Sequence, residues 1–398
     1  MKNFSPTLFI EVNDLDFIFF VGKNDEQNNF KIIYTLNIPV KGFEHSKVSD
    51  FELVFNTIKE NVYLIEQNLN YTFKEIVLIL ENLNPTFINL TGFKKLNGSQ
   101  ILRTNITYIL NILKSYVDKI EIKKTILHIF NSKFYLDDKQ IENLPIGLFG
   151  DFYSHELSFI LINTNDYKNL KNIFEKCNLK IKKILLKSFI KGAHVSDKNP
   201  NIDTFFQIEI NRNNSKIFYF ENNSLKFEQN FKFGSDIILK DISKITSLKK
   251  DTIKKILNDI KFSEKIAEDD LIEEKYFEDN NFIKIKKKLI KEIVSARIDE
   301  ILELMLFRNI NLQYYNKNTK VIFFEFNDKS QPESLKEIYK IIFSKNNKID
   351  INFLDNLSNE NMINTTYKLV HYGWKKEAIP TTQFKKSLIA RFFYAIFG

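Results

Sequence analysis

The spacing of apolar residues changes period several times along this chain, and each change marks an element. Residues 7–21 are apolar on both sides of a polar break at 13–14, which predicts two strands around a tight turn, and residues 30–39 add a third. Over residues 49–67, Phe51, Val54, Phe55, Ile58, Val62, Leu64 and Ile65 fall at helical spacing. Residues 76–80 are apolar at every position, as in a strand buried on both faces. From Pro85 to about Leu161 the texture differs. Short β-type runs (87–90, 125–135, 158–162) enclose one helical pattern at 101–117, with loop signals at Gly92, Gly98, Pro145, Gly147 and Gly150. This predicts a small α+β insert. An amphipathic helix (166–178) and a strand (181–186) then return the chain to the first lobe.

A second cycle begins at Phe205. Residues 205–210 and 216–220 predict a hairpin, and 224–231 a third strand. A helical, charge-laced segment starts at 237–247, a long amphipathic helix covers 284–307, residues 321–326 form a strand, and 332–343 a helix with Pro332 in its first turn. The acidic run at 264–281 lacks the spacing and turn glycine of a calcium loop and reads as a solvated face.

The last fifteen residues, 384–398 (FKKSLIARFFYAIFG), follow a polar connection at 375–383 with Pro380 as a breaker. On a helix, Phe384, Leu388, Ile389, Phe392, Phe393, Ala395 and Ile396 cover one side, with Phe397 adding a further aromatic. Lys386, Ser387 and Arg391 take the other side, and Lys385 can snorkel from the apolar side near the start. The segment is shorter than the ~20 residues a spanning helix needs. Lys375, Lys376, Lys385, Lys386 and Arg391 against Glu377 leave it clearly basic. Two readings fit the periodicity: a helix docked on its own domain, and one lying in an anionic membrane interface. The terminal position beyond a proline-containing linker and the absence of acidic residues within the helix favour the second.

At 398 residues, 43% apolar and 27% charged, the chain has material for a lobed globular body. Its formal net charge of +8 is interspersed, with no nucleic-acid-binding signature, so nucleic acid is not an expected partner. The single cysteine, Cys177, makes neither a disulfide nor a thiolate metal site. No signal pattern opens the sequence, and no apolar run approaches a spanning length, so the expected location is cytoplasmic, with membrane contact through the tail. The histidines (His45, His128, His155, His194, His371) have no metal-ligand spacing, and no zincin, nucleophile-elbow or P-loop motif occurs.

Three strands, a helix and a buried strand, repeated after an insert, resemble the actin-like ATPases: two RNase H-like lobes. Within that superfamily the chain resembles the cell-division family FtsA. Five stretches carry the resemblance: Gly42, Val48, Asp50 and Glu52 before the first helix; LPIGLFG at 144–150; GSDIILKDIS at 234–243; IVSARIDEILELM at 293–305; and YKLVHYG at 367–373 ahead of the basic-aromatic tail. The resemblance implies a first lobe at 1–84 and 166–196, the family's SHS2-type insert at 85–165, a second lobe at 197–235 and 310–370 with a subdomain at 236–309, a linker at 371–383, and a membrane-targeting helix at 384–398. It implies a division-site adaptor at the cytoplasmic face of the inner membrane that joins FtsZ filaments to anionic lipid, self-associates into filaments and recruits later division proteins. Pilus-assembly adaptors share the fold and generally lack the tail; an active actin-like or sugar-kinase-like ATPase is the other alternative.

The family binds ATP with magnesium between two hairpin turns and a Gly-Gly turn, where glycine lets backbone approach phosphate. Here the corresponding residues are Glu11, Val12, Asn13 and Asp14; Glu209, Ile210, Asn211, Arg212, Asn213 and Asn214; and Asn327-Asp328. Asparagine tolerates left-handed backbone, so the turns can persist, but its side chain fills volume that phosphate needs. The expectation is lost hydrolysis and weak or absent nucleotide binding, with Arg212 the residue that can still meet a phosphate. The resemblance further implies that the helix bearing Lys287, Lys291 and Arg297 receives the acidic C-terminal peptide of FtsZ. Arg297 can instead pair with Glu300, one helical turn away.

Overall fold

Two five-stranded sheets repeat one plan. In the computed structural model, which describes residues 5–378 except 14, 26, 28, 45–46, 82, 261–265, 278–282, 316–318, 320, 329–332 and 345–349, the first lobe opens with β1 (Thr7–Val12), β2 (Asp16–Asn24) and β3 (Phe30–Pro39). A two-residue pair, β4 (Phe43–Glu44) and β5 (Lys47–Val48), leads to α1 (Phe51–Leu69) and β6 (Glu75–Leu80). Gly42 (φ 73°) lets the chain turn so that Ser49 and Asp50 amides bond its carbonyl, and Asp50 then caps α1 by accepting from the Leu53 amide at 3.0 Å.

The insert follows: β7 (Thr86–Lys95), α2 (Arg103–Ile120), β8 (Lys124–Leu136), β9 (Lys139–Ile141) and β10 (Phe152–Asn163). Then come α3 (Thr164–Lys176), β11 (Lys180–Leu186) and α4 (Lys187–Lys198). The second lobe comprises β12 (Phe205–Ile210), β13 (Ser215–Glu221), β14 (Ser224–Phe231), α5 (Asp236–Thr246), α6 (Lys250–Asp259), α7 (Lys287–Leu302), β15 (Val321–Phe326), α8 (Glu333–Ser344), β16 (Asp350–Leu354) and α9 (Asn359–His371).

The sheet orders are β11-β6-β1-β2-β3 and β14-β13-β12-β15-β16. In each, three antiparallel strands in chain order are followed by two that pair in parallel on the far side of the first. This duplicated mixed sheet is the actin-like fold. β1, β6 and β12 are buried along nearly their whole length, as their unbroken apolar runs require. Ile238, Ile242, Ile253, Leu257, Ile298 and Tyr339, from α5 to α8, close the second lobe's core over β12 and β15.

The chain divides into two compact units, residues 1–84 with 169–372, and residues 85–168 with 373–398. The second unit is an antiparallel sheet, β7-β10-β8-β9, with α2 laid on it through Ile109, Leu110, Leu113 and Val117. Its strands are longer than the short runs visible in sequence, because bulges at Glu156/Leu157 and Ile160/Leu161 interrupt the alternation without ending the pairing between β10 and β8.

The linker expected at 371–383 has ordered contacts in its first half. His371 is the last residue of α9, and residues 374–378 form a strap on the insert. The Asn131 amide donates to the Lys376 carbonyl (2.7 Å), the Ala378 amide donates to the Ile129 carbonyl (2.8 Å), and Trp374 and Ala378 are buried. An exposed stretch of β8 backbone that β9 does not reach supplies the partners, which is why a polar sequence is ordered there. The tail at 384–398 lies outside the described residues, as does Asp14. No described helix is long and apolar enough to cross a membrane.

Candidate functional site

The two hairpin turns hold themselves. In the first, Asn13 Oδ1 accepts from the Leu15 and Asp16 amides, both at 2.8 Å. In the second, the Asn211 amide donates to the Asn214 carbonyl (2.9 Å) and the Asn211 side-chain amide to Asn214 Oδ1 (2.6 Å). Asn327 Nδ2 donates to Asn211 Oδ1 (2.9 Å), tying the third loop to the second. The Arg212 carbonyl accepts from the Asp236 amide, while Arg212 and Asn213 are exposed. Asp328 is buried and accepts from Ser235 Oγ at 2.8 Å. None of residues 211–214 has a positive φ, so the turn does not draw on asparagine's tolerance of the left-handed region. Gly234 packs directly on this turn: a Cβ there would sit 2.2 Å from the Asn211 carbonyl oxygen.

Behind the turns lies a buried ionic cluster. α4 begins with Lys187 and carries Lys191 one turn on, on the same face. Lys187 Nζ lies 2.7 Å from Glu11 and 2.8 Å from Glu81, at the ends of the parallel pair β1 and β6. Lys191 Nζ lies 2.9 Å from Glu209 and 3.0 Å from Glu325, which sit side by side on the parallel pair β12 and β15. Each lobe therefore offers two carboxylates to one lysine of the same helix. Gly192 allows this approach, since a Cβ there would fall 2.0 Å from the Phe220 ring. Around the pair, Lys216 faces Glu228 (3.4 Å), which also accepts from Ser188, and Gln207 donates to Glu325 (3.2 Å).

The electrostatics follow from burial against pairing. Burial alone would raise the Glu81 pKa, but the Lys187 charge and hydrogen bond outweigh it and hold that carboxyl near 2. Burial opposes charge on Lys187 and Lys191, yet their glutamates keep both pKa values above the ordinary lysine range. Glu325 is pushed upward by burial and by the neighbouring Glu209 charge, against the pull of Lys191. Among the described residues, no group of three His, Cys, Asp or Glu is arranged to hold a metal ion.

Glu11 and Glu209, singled out in the sequence, are thus brought into one cluster, and Asn211, Asn214 and Asn327 into one hydrogen-bonded set. Lys187, Lys191, Glu81 and Glu325 escaped sequence reasoning. Their signal was the i,i+4 lysine pair right after a buried strand, with a glutamate ending each facing apolar run, at 76–80 and 321–324.

Curated relatives align over most of the chain. It is 22% identical over 317 residues to the cell division protein FtsA of Buchnera aphidicola subsp. Schizaphis graminum, covering 78% of this chain and 75% of that one. The FtsA proteins of the Acyrthosiphon pisum and Baizongia pistaciae strains match at 21% and 22% identity, covering 62% and 66% of this chain and 59% and 63% of theirs. The chain is similar to FtsA proteins over most of its length. No family model matches it. Solved structures with a similar chain path include the PilM-PilN type IV pilus biogenesis complex (TM-score 0.49, 7% identity, 87% of this chain and 88% of that one). Another is MreB 5 of Spiroplasma citri bound to AMPPNP (0.39, 10%, 91% and 96%).

In this chain the three cations on α7 are not a free cluster. Arg297 is engaged by Asp241 and by Glu300, the i,i+3 pairing legible in the sequence. Lys287 faces Asp270 at 3.3 Å, and Lys291 is half-buried. Arg297 lines a groove of about 670 Å³ with Asp241, Lys244, Ile245, Ile293 and Ala296. A neighbouring groove of about 570 Å³ shares Ile245 and Glu292 with it and carries Lys284, Lys286 and Lys288 beside the exposed Ile283 and Leu289.

Proposed function

We propose that this protein is an FtsA-type cell-division adaptor that tethers FtsZ filaments to the cytoplasmic face of the inner membrane without using nucleotide. The alignment with FtsA over 78% of the chain carries the division role. The basic, aromatic segment 384–398 supports the membrane role: about 1 kcal/mol per basic residue near an anionic surface, plus inserted aromatics. One such helix binds reversibly, and head-to-tail filaments multiply it into durable attachment. The residues present do not fit a magnesium nucleotide. The carboxylates that would orient the metal's waters each hold a lysine, and the asparagine turns spend their polar groups on one another. The scaffold role requires no turnover.

For the FtsZ peptide, the joined grooves along α5 and α7 supply apolar contact at Ile245 and Leu289 and cations at Lys284, Lys286, Lys288 and Arg297, with Lys287 and Lys291 on the same helix. Lys286, Lys288 and Arg297 pair with Asp269, Glu268, Asp241 and Glu300, so an acidic peptide's carboxylates would bind there by displacing these partners. Two measurements test the reading. Calorimetric titration with Mg-ATP is expected to give no heat of binding, and micromolar affinity overturns the nucleotide-free scaffold. Arg297→Glu combined with Lys286→Glu is expected to abolish pull-down by an FtsZ C-terminal peptide, and unchanged capture removes the groove assignment.

A further inference from the structure

α2 presents two apolar strips. One is packed on the insert's sheet. The other, Tyr108, Ile112, Tyr116 and Ile120, recurs every fourth residue and is between 46% and 52% exposed, with Ile122 just beyond at 82%. Four large apolar side chains in one ridge over ~18 Å of helix are more than scattered surface exposure.

The last described residues fix where the segment after them can reach. The strap runs antiparallel to β8, pairing Lys376 with Asn131, Glu377 with Phe130 and Ala378 with Ile129. At Ala378 it therefore heads for the Lys124 end of β8, where α2 also ends. From Ile129 to Lys124 is five residues of strand, ~17 Å. Residues 379–383 are five residues, which reach at most ~17 Å. The next residue is Phe384, the first of the tail's own ridge: Phe384, Leu388, Phe392 and Ile396, again every fourth residue over ~18 Å. Laid back along α2, the two ridges meet as Phe384 with Ile120, Leu388 with Tyr116, Phe392 with Ile112 and Ile396 with Tyr108. Ridges at i±4 interlock when helices cross at about 50°.

We propose that α2 is a parking site for the protein's own C-terminal helix, which covers the Tyr108–Ile120 ridge off the membrane and leaves it on the membrane. This rests on reading 384–398 as the membrane helix and assigns that helix a second, competing seat. The same apolar side serves both, so the two states exclude each other, and the parked fraction lowers the apparent lipid affinity. Filament formation on a vesicle would then draw tails out of a stored pool.

The test uses the full chain in two formats. With Cys177 replaced by serine, Ile112→Cys and Phe392→Cys are expected to cross-link within one molecule in solution, and vesicles rich in anionic phospholipid are expected to suppress the cross-link. In the second format, Ile112→Asp with Tyr116→Asp is expected to raise apparent vesicle affinity roughly five-fold, as for a tail parked about 80% of the time. Unchanged affinity with no cross-link overturns the proposal. So does weaker vesicle binding in the aspartate variant, which makes the ridge a lipid contact, and so does a cross-link only between molecules, which makes it a self-association face. Failure of the membrane reading looks different: Phe392→Glu with Phe393→Glu then leaves vesicle binding unaltered.

Discussion

Two buried polar arrangements, the lysine–glutamate cluster of the body and the His155–Tyr153 pair of the insert, are held on opposite terms. In the body, Lys187, Lys191 and Lys216 are taken out of water only in company, each within 3.4 Å of a glutamate. In the insert, His155 and the Tyr153 hydroxyl are buried with no hydrogen-bond partner among the described residues, and His155 packs against the Phe134 ring at 4.8 Å. A paired charge and an unpaired neutral dipole are both tolerable interiors, but they fail differently. Removing one member of the first strands a charge. The second is stable only while it stays neutral, and burial, assisted by the nearby Lys376, lowers the His155 pKa to about 4.

The largest test of this contrast is Lys191→Met, which leaves Glu209 and Glu325 buried without a cation. It should cost about 3–5 kcal/mol in chemical denaturation. Adding Glu209→Gln and Glu325→Gln should recover much of that, because the remaining site is no longer charged. A single-site cost near zero would mean the cluster is solvated and the contrast false.

Next in size is the acid response. An unfolded histidine takes up its proton near pH 6.5 and His155 only near 4, so protonation favours the unfolded insert as pH falls between those values. The insert should lose ~3 kcal/mol over that window. Glu81 has the same sign in a lower window: its contribution is complete above its ordinary value, 4.5, and disappears as pH falls through about 2. The insert should therefore loosen first. Trp374, the only tryptophan, sits on the insert's strap and reports it by fluorescence. His155→Leu should flatten the loss between pH 6.5 and 4, and an unaltered profile would refute the assignment.

The smallest is Tyr153→Phe, which deletes a hydroxyl that has no partner. Its effect should lie between neutral and ~1 kcal/mol stabilising, whereas Asn211→Ala in the body should cost ~1–2 kcal/mol for two lost hydrogen bonds. Equal losses at both positions would show that the Tyr153 hydroxyl is satisfied after all.

The reach of the sequence follows the range of the forces involved. Hairpins at 7–24 and 205–221 were legible because strand, turn and strand lie within one local pattern. The terminal asparagine loops were legible as departures from glycine. Glu11 and Glu209 stood out for the same reason. Their partners did not, since Lys187 is 176 residues from Glu11 and Lys191 is 134 from Glu325, and a long-range ion pair leaves no periodicity. β16 and α9 passed unnoticed because Asp350–Leu354 is half-exposed and short, while α9's Asn- and Thr-rich opening hides its inward Met362, Ile363 and Leu369. The strap was missed because its partners, the β8 backbone and side chains such as His128 and Phe134, lie more than 240 residues away in sequence.

That strap also decides how a load would be carried. A pull applied at Ala378 along the axis of β8 loads the hydrogen bonds at Ile129 and Asn131 together, in shear, rather than one after the other as a zip. Such a load passes into the edge of a four-stranded sheet and its helix, a broad footing instead of a single loose thread.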